Sequence, residues 1–331
     1  MSQIVAVTGS EGFIGSHLVE ALVSRGHRVR AMVQYNSFGS YGWLDTLDPQ
    51  VLASVEPVLG DVRDPRSVRD LMDGAAVVYH LAALIAIPYS YVAPQSYVDT
   101  NVSGTLNVLE AARTLETPRI VHTSTSETYG TARSVPISEE HPMQAQSPYA
   151  ATKVAADKLA ESYHLSFGTQ VVTLRPFNTY GPRQSARAVI PTITAQLASG
   201  RRRIELGSLT PTRDLTFVAD TAAAFMAVGT APADDVVGQV FNAGNGKEIS
   251  VGDLALTIAE VMGLDIEVAQ DPSRLRPDAS EVQRLVCDNS KLRTATDWQP
   301  AHSLQSGLKA TVDWFTNPLN LARYRPDQYT I

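Results

Sequence analysis

The chain has 331 residues with 27 basic and 34 acidic side chains, so its formal net charge is −7. A composition that is 44% hydrophobic excludes a disordered chain, and the acidic balance excludes a general nucleic-acid binder. The one cysteine, Cys287, excludes an internal disulfide framework, and no segment approaches the roughly 18 consecutive apolar residues of a membrane span. Because no basic leader precedes the first apolar segment, we expect a cytoplasmic protein with no membrane partner.

Short apolar segments alternate with amphipathic segments of helical length through the first half of the chain. The predicted strands are residues 4–8, 27–33, 55–59, 77–81, 120–123 and 171–175. The predicted helices are residues 13–24, 65–72, 97–113 and 149–166. Nearly continuous apolar strands that alternate with helices are typical of a parallel sheet covered on both faces. The pattern therefore predicts an α/β protein with a doubly wound parallel sheet, the Rossmann arrangement.

The alternation of strands and helices becomes irregular after residue 176. The following segment combines a loop, a predicted helix at 189–198 and a short strand, and the chain beyond residue 244 contains shorter helices. We therefore predict a dinucleotide-binding domain at 1–176, to which residues 214–243 return. Residues 177–213 and 244–331 are predicted to form a smaller α+β substrate-binding lobe that closes over a cleft.

Three glycines follow the first predicted strand and open the first helix. Gly9 permits a tight turn, Gly12 lets a pyrophosphate approach the backbone, and Gly15 lets the helix pack closely on the sheet. The N–H groups and partial positive charge of a helix N-terminus favour phosphate at this position. The predicted dinucleotide site comprises this loop, the residues after the third and fourth strands, and two residues of a later helix: Gly9, Gly12, Phe13, Ile14, Gly15, Asp61, Val62, Leu81, Ala82, Ala83, Tyr149 and Lys153.

The end of the second strand departs from the usual dinucleotide pattern. An acidic residue commonly binds the ribose diol there, but this chain has Val33, Gln34, Tyr35 and Asn36. No arginine that would accommodate a 2′-phosphate is evident either. We predict NAD as the cofactor and leave NADP open.

A tyrosine and a lysine open the helix that follows the fifth strand. Tyr149 and Lys153 are four residues apart, so the phenol and the ammonium lie on one helix face. A phenol has a pKa of about 10, and a neighbouring ammonium together with an oxidised nicotinamide favours the phenolate that a base requires. The pair predicts acid–base chemistry beside a nicotinamide.

Hydroxyl and carboxyl side chains follow the fifth strand at Thr125, Ser126 and Glu127. Ligands of doubly wound sheets bind at the carboxyl ends of the strands, so these side chains are expected to face the cleft. With the glycine loop and the Tyr149/Lys153 pair, the segment resembles the extended short-chain dehydrogenase/reductases (extended SDR) that act on nucleotide sugars. The resemblance implies that Thr125 hydrogen-bonds the 4-oxygen of the sugar. It also implies that Ser126 and Glu127 occupy the positions where 4,6-dehydratases keep their general acid and the base for C5.

Longer segments strengthen this resemblance and extend it over nearly the whole chain. Residues 35–38, 42–45, 84–90, 175–191 and 314–318 resemble the legionaminic-acid type of NAD-dependent 4,6-dehydratase, which acts on nucleotide-linked N-acetylglucosamine. The implied activity is that of a lyase that converts GDP- or UDP-N-acetylglucosamine into a 4-keto-6-deoxy sugar nucleotide. Ser126 stands where dTDP-glucose dehydratases have aspartate, and Thr-Ser-Glu also occurs in UDP-glucuronate decarboxylases. A 4-epimerase or decarboxylase of the same fold therefore stays open, as does a catalytically idle nucleotide-binding protein.

The resemblance also implies a substrate site and an assembly. The expected contacts to the nucleotide, its diphosphate and the sugar pocket are Tyr89, Ser90, Asn178, Arg187, Arg213, Arg276 and Glu281. A homodimer is implied, with the helices at 97–113 and 149–166 as candidates for a four-helix interface. The histidines show no metal-ligand spacing, so no metal is predicted.

Overall fold

The computed structural model describes residues 2–275 and 277–324 of the chain. Within these residues the strands are β1 (Ile4–Thr8), β2 (Arg28–Val33), β3 (Val55–Leu59), β4 (Val77–His80), β5 (Ile120–Thr123), β6 (Val171–Pro176), β7 (Asn178–Tyr180), β8 (Arg203–Leu206), β9 (Thr212–Phe217), β10 (Val240–Ala243), β11 (Glu248–Ser250), β12 (Glu267–Gln270) and β13 (Arg284–Leu285). The six strands predicted in the first half of the chain agree with β1 to β6 to within one residue at each end.

The helices include short turns as well as the longer elements that cover the sheet. They are α1 (Phe13–Ser24), α2 (Pro49–Leu52), α3 (Pro65–Met72), α4 (Ile87–Val92), α5 (Pro94–Tyr97), α6 (Gly104–Thr114), α7 (Pro148–Phe167), α8 (Val189–Ala198), α9 (Val218–Thr230), α10 (Ala233–Val236), α11 (Val251–Met262), α12 (Ser290–Ala295), α13 (Leu304–Thr316) and α14 (Pro318–Leu321). Among the described residues, none of these helices is long and apolar enough to cross a membrane.

Seven strands form one central parallel sheet in the order β3-β2-β1-β4-β5-β6-β10. Successive side chains of a strand point to opposite faces, and both faces here are apolar. Val5 and Val7 of β1 join a core with α1 and α9, whereas Ala6 joins a core with α3, α6 and α7 on the other face. The prediction of a doubly wound parallel sheet of Rossmann type is confirmed.

A second group of elements lies beyond the carboxyl ends of the central strands. In it β9 pairs with β7, β11 and β13, and β8 pairs with β12. These strands and the helices α8, α11 and α13 enclose their own apolar core, which includes Ile193, Leu215, Ile258 and Leu308. The segment that follows β9 returns to the central sheet, because β10 pairs in parallel with β6. The division into lobes at residues 176, 213 and 243 stays a prediction.

The predicted helix at 97–113 is wrong in one respect, because the structure interrupts it with a π-helical turn at Val98–Ser103. Asn101 lies in this turn and is buried. Its side chain accepts a hydrogen bond from the Leu84 N–H (2.8 Å) and donates to the Leu84 carbonyl (2.9 Å) and the Thr152 hydroxyl (3.0 Å). The Asn101 carbonyl accepts from the Thr105 hydroxyl. Apolar periodicity cannot predict this turn, since contacts from distant residues hold it in place.

Candidate active site

A cleft of about 720 Å³ lies at the carboxyl ends of the central strands, between them and the second group of elements. This volume is within the range of ordinary ligand sites. The cleft brings together most of the predicted site residues: Gly9, Gly12, Phe13, Ile14, Gly15, Asp61, Val62, Leu81, Ala82, Ala83, Thr125, Ser126, Glu127, Tyr149, Lys153, Asn178, Arg187, Arg213 and Glu281. Residues that are far apart in the sequence therefore meet in one cavity.

The glycine loop has the shape that a dinucleotide pyrophosphate requires. A Cβ on Gly15 would lie 2.1 Å from the Gly9 carbonyl oxygen, and a Cβ on Gly9, whose φ is +67°, would lie 2.8 Å from the Ala82 nitrogen. In the described part of the chain no side chain caps the N-terminus of α1, whose first N–H groups are at the cleft. Side chains on Gly9 or Gly15 would collide with neighbouring backbone, so the tight turn and the close approach of α1 to it both require glycine.

The Thr8 hydroxyl fixes the position of β4 relative to this loop. It accepts hydrogen bonds from the backbone N–H groups of Leu81 and Ala82, both at 3.1 Å. Farther along the same edge, Asp61 accepts hydrogen bonds from the Arg63 guanidinium at 2.6 to 3.1 Å. The bond from Arg63 holds the pKa of Asp61 below its usual value. Both features hold residues at the predicted cofactor end of the cleft in position.

Tyr149 and Lys153 lie in the first two turns of α7. Ser147 caps this helix by accepting a hydrogen bond from the Ala150 N–H (3.1 Å), and Pro148 occupies its first turn. Burial raises the pKa of the Tyr149 phenol, while a hydrogen bond with Thr125 lowers it. Burial also lowers the pKa of Lys153 to about 8, and the Lys153 ammonium donates to the Thr123 carbonyl at 2.6 Å. The expectation that this ammonium together with an oxidised nicotinamide favours the phenolate stays a prediction.

Thr125 begins the short 3-10 helix Ser126–Tyr129 at the end of β5. Its hydroxyl oxygen accepts a hydrogen bond from the Glu127 N–H (3.2 Å), which leaves the hydroxyl proton available to donate. Ser126 is 2% exposed, and Glu127 is partly buried. Because both side chains line the cleft with Tyr149, the structure brings a phenol, hydroxyl groups and a carboxylate to one place.

A buried ion pair lies directly behind these groups, and the sequence analysis missed it. Asp157 accepts hydrogen bonds from Arg175 (2.9 and 3.1 Å) and from the Ser124 hydroxyl (2.7 Å). The Nε2 of His122 lies 3.1 Å from the other carboxylate oxygen. Burial raises the pKa of Asp157, but the bond from His122 and the positive charge of Arg175 outweigh it and lower that pKa to about 2. The spacing of Asp157, four residues after Lys153 on the same helix face, was the available signal.

The far end of the cleft contains the predicted nucleotide contacts. Arg213 donates to Glu281 at 3.0 Å, and both side chains are largely buried, so these two predicted ligand residues pair with each other. The Oδ1 of Asn178 is buried and has no hydrogen-bond partner among the described residues. Arg187 is exposed at the rim. An unpartnered acceptor and two arginines in one cavity are suited to an anionic ligand with hydrogen-bond donors.

Two predicted substrate residues are not brought to this cavity, and a third lies outside the described residues. Ser90 is fully buried and its hydroxyl donates to the Ile87 carbonyl (2.6 Å), while Tyr89 is half-exposed and packs near Tyr97. Neither lines the cleft. Arg276 lies outside the described residues, whereas Arg274, which the sequence analysis did not select, does line the cleft. No group of His, Cys, Asp and Glu side chains suited to a metal ion is present in residues 2–275 and 277–324.

Comparison with known protein families identifies the family to which this chain belongs. The sequence model of the family described as GDP-mannose 4,6 dehydratase matches residues 6–311. The chain belongs to this family. The GDP-mannose 4,6 dehydratase family fits the geometry above, since the matched residues include the glycine loop, α7 and the substrate end of the cleft.

Individual relatives of this family member differ in their reactions. A UDP-glucose 4-epimerase of Mycolicibacterium smegmatis is 35% identical over 94% of this chain and 98% of its own length. A dTDP-glucose 4,6-dehydratase of an Actinoplanes species is 32% identical over 94% and 97%. The solved structure of DesIV, a dTDP-glucose 4,6-dehydratase from Streptomyces venezuelae with NAD bound, has a TM-score of 0.85 and 27% identity over 98% of this chain and 99% of its own. These similarities confirm an extended SDR of the dehydratase/epimerase group without separating the two activities.

Proposed function

We propose that this protein is an NAD-dependent nucleotide-sugar 4,6-dehydratase that acts on GDP- or UDP-N-acetylglucosamine. The observation that supports it most is Glu127, a carboxylate that lines the cleft two residues after Thr125 and together with Tyr149. A 4-epimerase needs no base for a carbon-bound proton at C5, whereas a dehydratase does. The carboxylate is therefore the group that distinguishes the two reactions.

The first step requires a base for the 4-hydroxyl proton. The Tyr149 phenolate accepts this proton, and the Thr125 hydroxyl donates a hydrogen bond to the same sugar oxygen. Lys153 stays oriented by the Thr123 carbonyl, with its positive charge on the Tyr149 face of α7. The glycine loop, the orphaned N–H groups of α1 and the residues after β3 and β4 would hold a nicotinamide dinucleotide, which supplies a positive ring and takes up and returns a hydride.

The second step is the loss of water between C5 and C6. The 4-keto group acidifies the C5–H, and Glu127 removes that proton while the 6-hydroxyl departs. Ser126, buried next to Glu127, would hydrogen-bond the departing hydroxyl. The protons balance: the sugar loses one from O4 and one from C5, and receives one on the leaving water and one on C5 when C6 is reduced. The product is a 4-keto-6-deoxy sugar nucleotide.

The substrate end of the cleft fits a nucleoside diphosphate. Arg187 and Arg213 supply local positive charge in a chain whose net charge is −7. Arginine binds phosphate oxygens in a bidentate manner, and the buried acceptor of Asn178 suits a hydroxyl or an N–H of the ligand. A diphosphate at this end would compete with Glu281 for Arg213, and the Glu281 carboxylate would accept from ribose hydroxyls.

Glu127→Gln tests the proposal at its decisive residue. The amide keeps the size of the side chain but cannot remove the C5 proton, so formation of the 4-keto-6-deoxy product should fall by about 10²–10⁴-fold. Oxidation at C4 should persist, so the absorbance of reduced cofactor should rise on addition of substrate. Single-turnover absorbance and mass spectrometry of the products measure the two steps separately.

The exposed Glu140 provides a matched control, since it lies outside the cleft. Glu140→Gln should leave both steps unchanged. A Glu127→Gln variant that dehydrates its substrate at the rate of the unmodified enzyme would refute the role of Glu127. A C4 epimer as the sole product of the unmodified enzyme would identify an epimerase instead.

We further propose a homodimer that acts in the cytoplasm, joined by helices of the segments 97–113 and 149–166. Exposed apolar side chains of these regions, Val98, Leu106, Leu165 and Phe167, support an interface there. The chain's one cysteine suits a reducing compartment. Light scattering of the purified protein should give twice the mass of the chain, and the mass of a single chain would refute the dimer.

A further inference from the structure

A buried carboxylate of the glycine loop has no part in the chemistry described so far. Glu11 lies between Gly9 and Gly12, and its Oε1 accepts a hydrogen bond from the Gln34 N–H at 3.1 Å. Its Oε2 is buried without a hydrogen-bond partner among the described residues, and Glu11 lines the cofactor end of the cleft. A buried carboxylate oxygen without a hydrogen-bond donor destabilises the protein, so a donor from a bound ligand at this point would lower the free energy.

The backbone of Glu11 is held from the other side as well. Its carbonyl accepts a hydrogen bond from the Trp43 N–H at 3.0 Å. A Cβ on Gly42, whose φ is +60°, would lie 2.8 Å from that same carbonyl oxygen, so the following loop packs tightly against it. Burial raises the pKa of Glu11, and the bond from the Gln34 N–H lowers it. The backbone of Glu11 is thus packed against the following loop, and one of its carboxylate oxygens is bonded to the Gln34 N–H.

Glu11 stands at the place where the usual ribose-binding acid is missing. In dinucleotide folds that acid follows the second strand, and here the residue after β2 is Gln34. The Glu11 carboxylate reaches across from the neighbouring loop and bonds the backbone of Gln34 itself. The Gln34 side chain hydrogen-bonds Asp61, which is also paired with Arg63.

We infer that Glu11 selects NAD over NADP: its carboxylate accepts a hydrogen bond from a hydroxyl of the adenosine ribose and repels a 2′-phosphate. The inference rests on the proposed function in so far as the cleft must bind a nicotinamide dinucleotide. Two negative groups held at close range in a partly desolvated site repel each other, which disfavours a bound 2′-phosphate. Arg63 is the competing feature, since a cation there could attract the phosphate, but its Nε and Nη2 donate to both oxygens of Asp61.

Glu11→Gln separates this role from a structural one. The amide retains an oxygen that accepts from the Gln34 N–H, and removes the charge. Calorimetric titration of the full chain with NAD⁺ and with NADP⁺ gives both dissociation constants without any turnover. The ratio Kd(NADP⁺)/Kd(NAD⁺) should fall by about tenfold or more in the variant. Glu56→Gln, the same charge change at an exposed position on β3, should leave the ratio unchanged.

A measurement on the unmodified protein guards against a variant that does not fold. An NAD⁺ analogue with a 2′-deoxyadenosine should bind about tenfold more weakly than NAD⁺, because it lacks the hydroxyl that donates to a charged acceptor. An unchanged ratio in a folded Glu11→Gln protein, or equal binding of the analogue and NAD⁺, overturns the inference. If neither NAD⁺ nor NADP⁺ binds to the unmodified protein, the proposed function itself fails.

Discussion

Tyr149→Phe is expected to lower the turnover of this enzyme by about 10²–10⁴-fold, the usual contribution of a positioned acid–base group. In the proposed reaction the phenolic oxygen is the base for the 4-hydroxyl proton, and phenylalanine has no group that could replace it. Tyr149 is buried in the cleft, so bulk solvent is a poor substitute for the lost hydroxyl group. NAD⁺ binding should change little, which calorimetry of the same preparation measures.

Tyr97→Phe is the matched control for this variant. Tyr97 is a buried neighbour whose ring meets that of Tyr149 at an interplanar angle of 77°, with 6.3 Å between the ring centroids. Its hydroxyl donates to the Ala86 carbonyl, so its loss should cost about 1 kcal/mol of stability while the chemistry proceeds. If Tyr149→Phe retains turnover within about threefold of the unmodified enzyme, Tyr149 is not the acid–base group.

Asp157→Ala is expected to lower the free energy of unfolding by about 3–5 kcal/mol, because it leaves a buried positive charge without its partner. The Arg175 side chain is 1% exposed and would lose its bonds to Asp157. Ser124 and His122 would lose an acceptor at the same time. Denaturant unfolding followed by fluorescence measures the difference. Asp313→Ala, at an exposed ion pair with Lys309, should cost less than about 1 kcal/mol.

The pH dependence of the same pair has a definite sign. The folded protein holds the pKa of Asp157 at about 2, below the value of about 3.9 for an unfolded aspartate. The stability that its ionisation contributes is therefore present above about pH 4 and is lost as the pH falls towards 2. The difference in free energy of unfolding between the unmodified protein and the Asp157→Asn variant should become smaller as the pH falls from about 4 to 2. A difference that stays constant, or an Asp157→Ala cost no larger than that of Asp313→Ala, would contradict the buried ion pair.

The features that could be predicted from the sequence depend on local spacing. Gly9, Gly12 and Gly15 follow an apolar strand at fixed intervals, and Tyr149 and Lys153 share a helix face because they are four residues apart. Each pattern describes one turn or one helix and needs no knowledge of distant contacts. The alternation of strands and helices predicted the sheet for the same reason.

The features that were missed join residues that the fold alone brings together. Asp157 and Arg175 lie on α7 and β6, and their pairing depends on how that helix packs on that strand. Arg213 and Glu281 were each assigned to a ligand, yet their position across β9 and the loop before β13 makes them an ion pair. In the sequence nothing distinguishes Glu11 from other loop residues, because its contact with the end of β2 forms only in the fold. No periodicity in the chain encodes these long-range contacts.

Turnover in deuterium oxide tests the dehydratase assignment most directly. The purified protein is incubated with NAD⁺ and with GDP- or UDP-N-acetylglucosamine, and the product is analysed by mass spectrometry and proton NMR. We expect loss of one water, a methyl group at C6 and one deuterium at C5, because Glu127 would exchange the C5 proton with solvent. A product that retains its 6-hydroxyl and its C5 proton would contradict it.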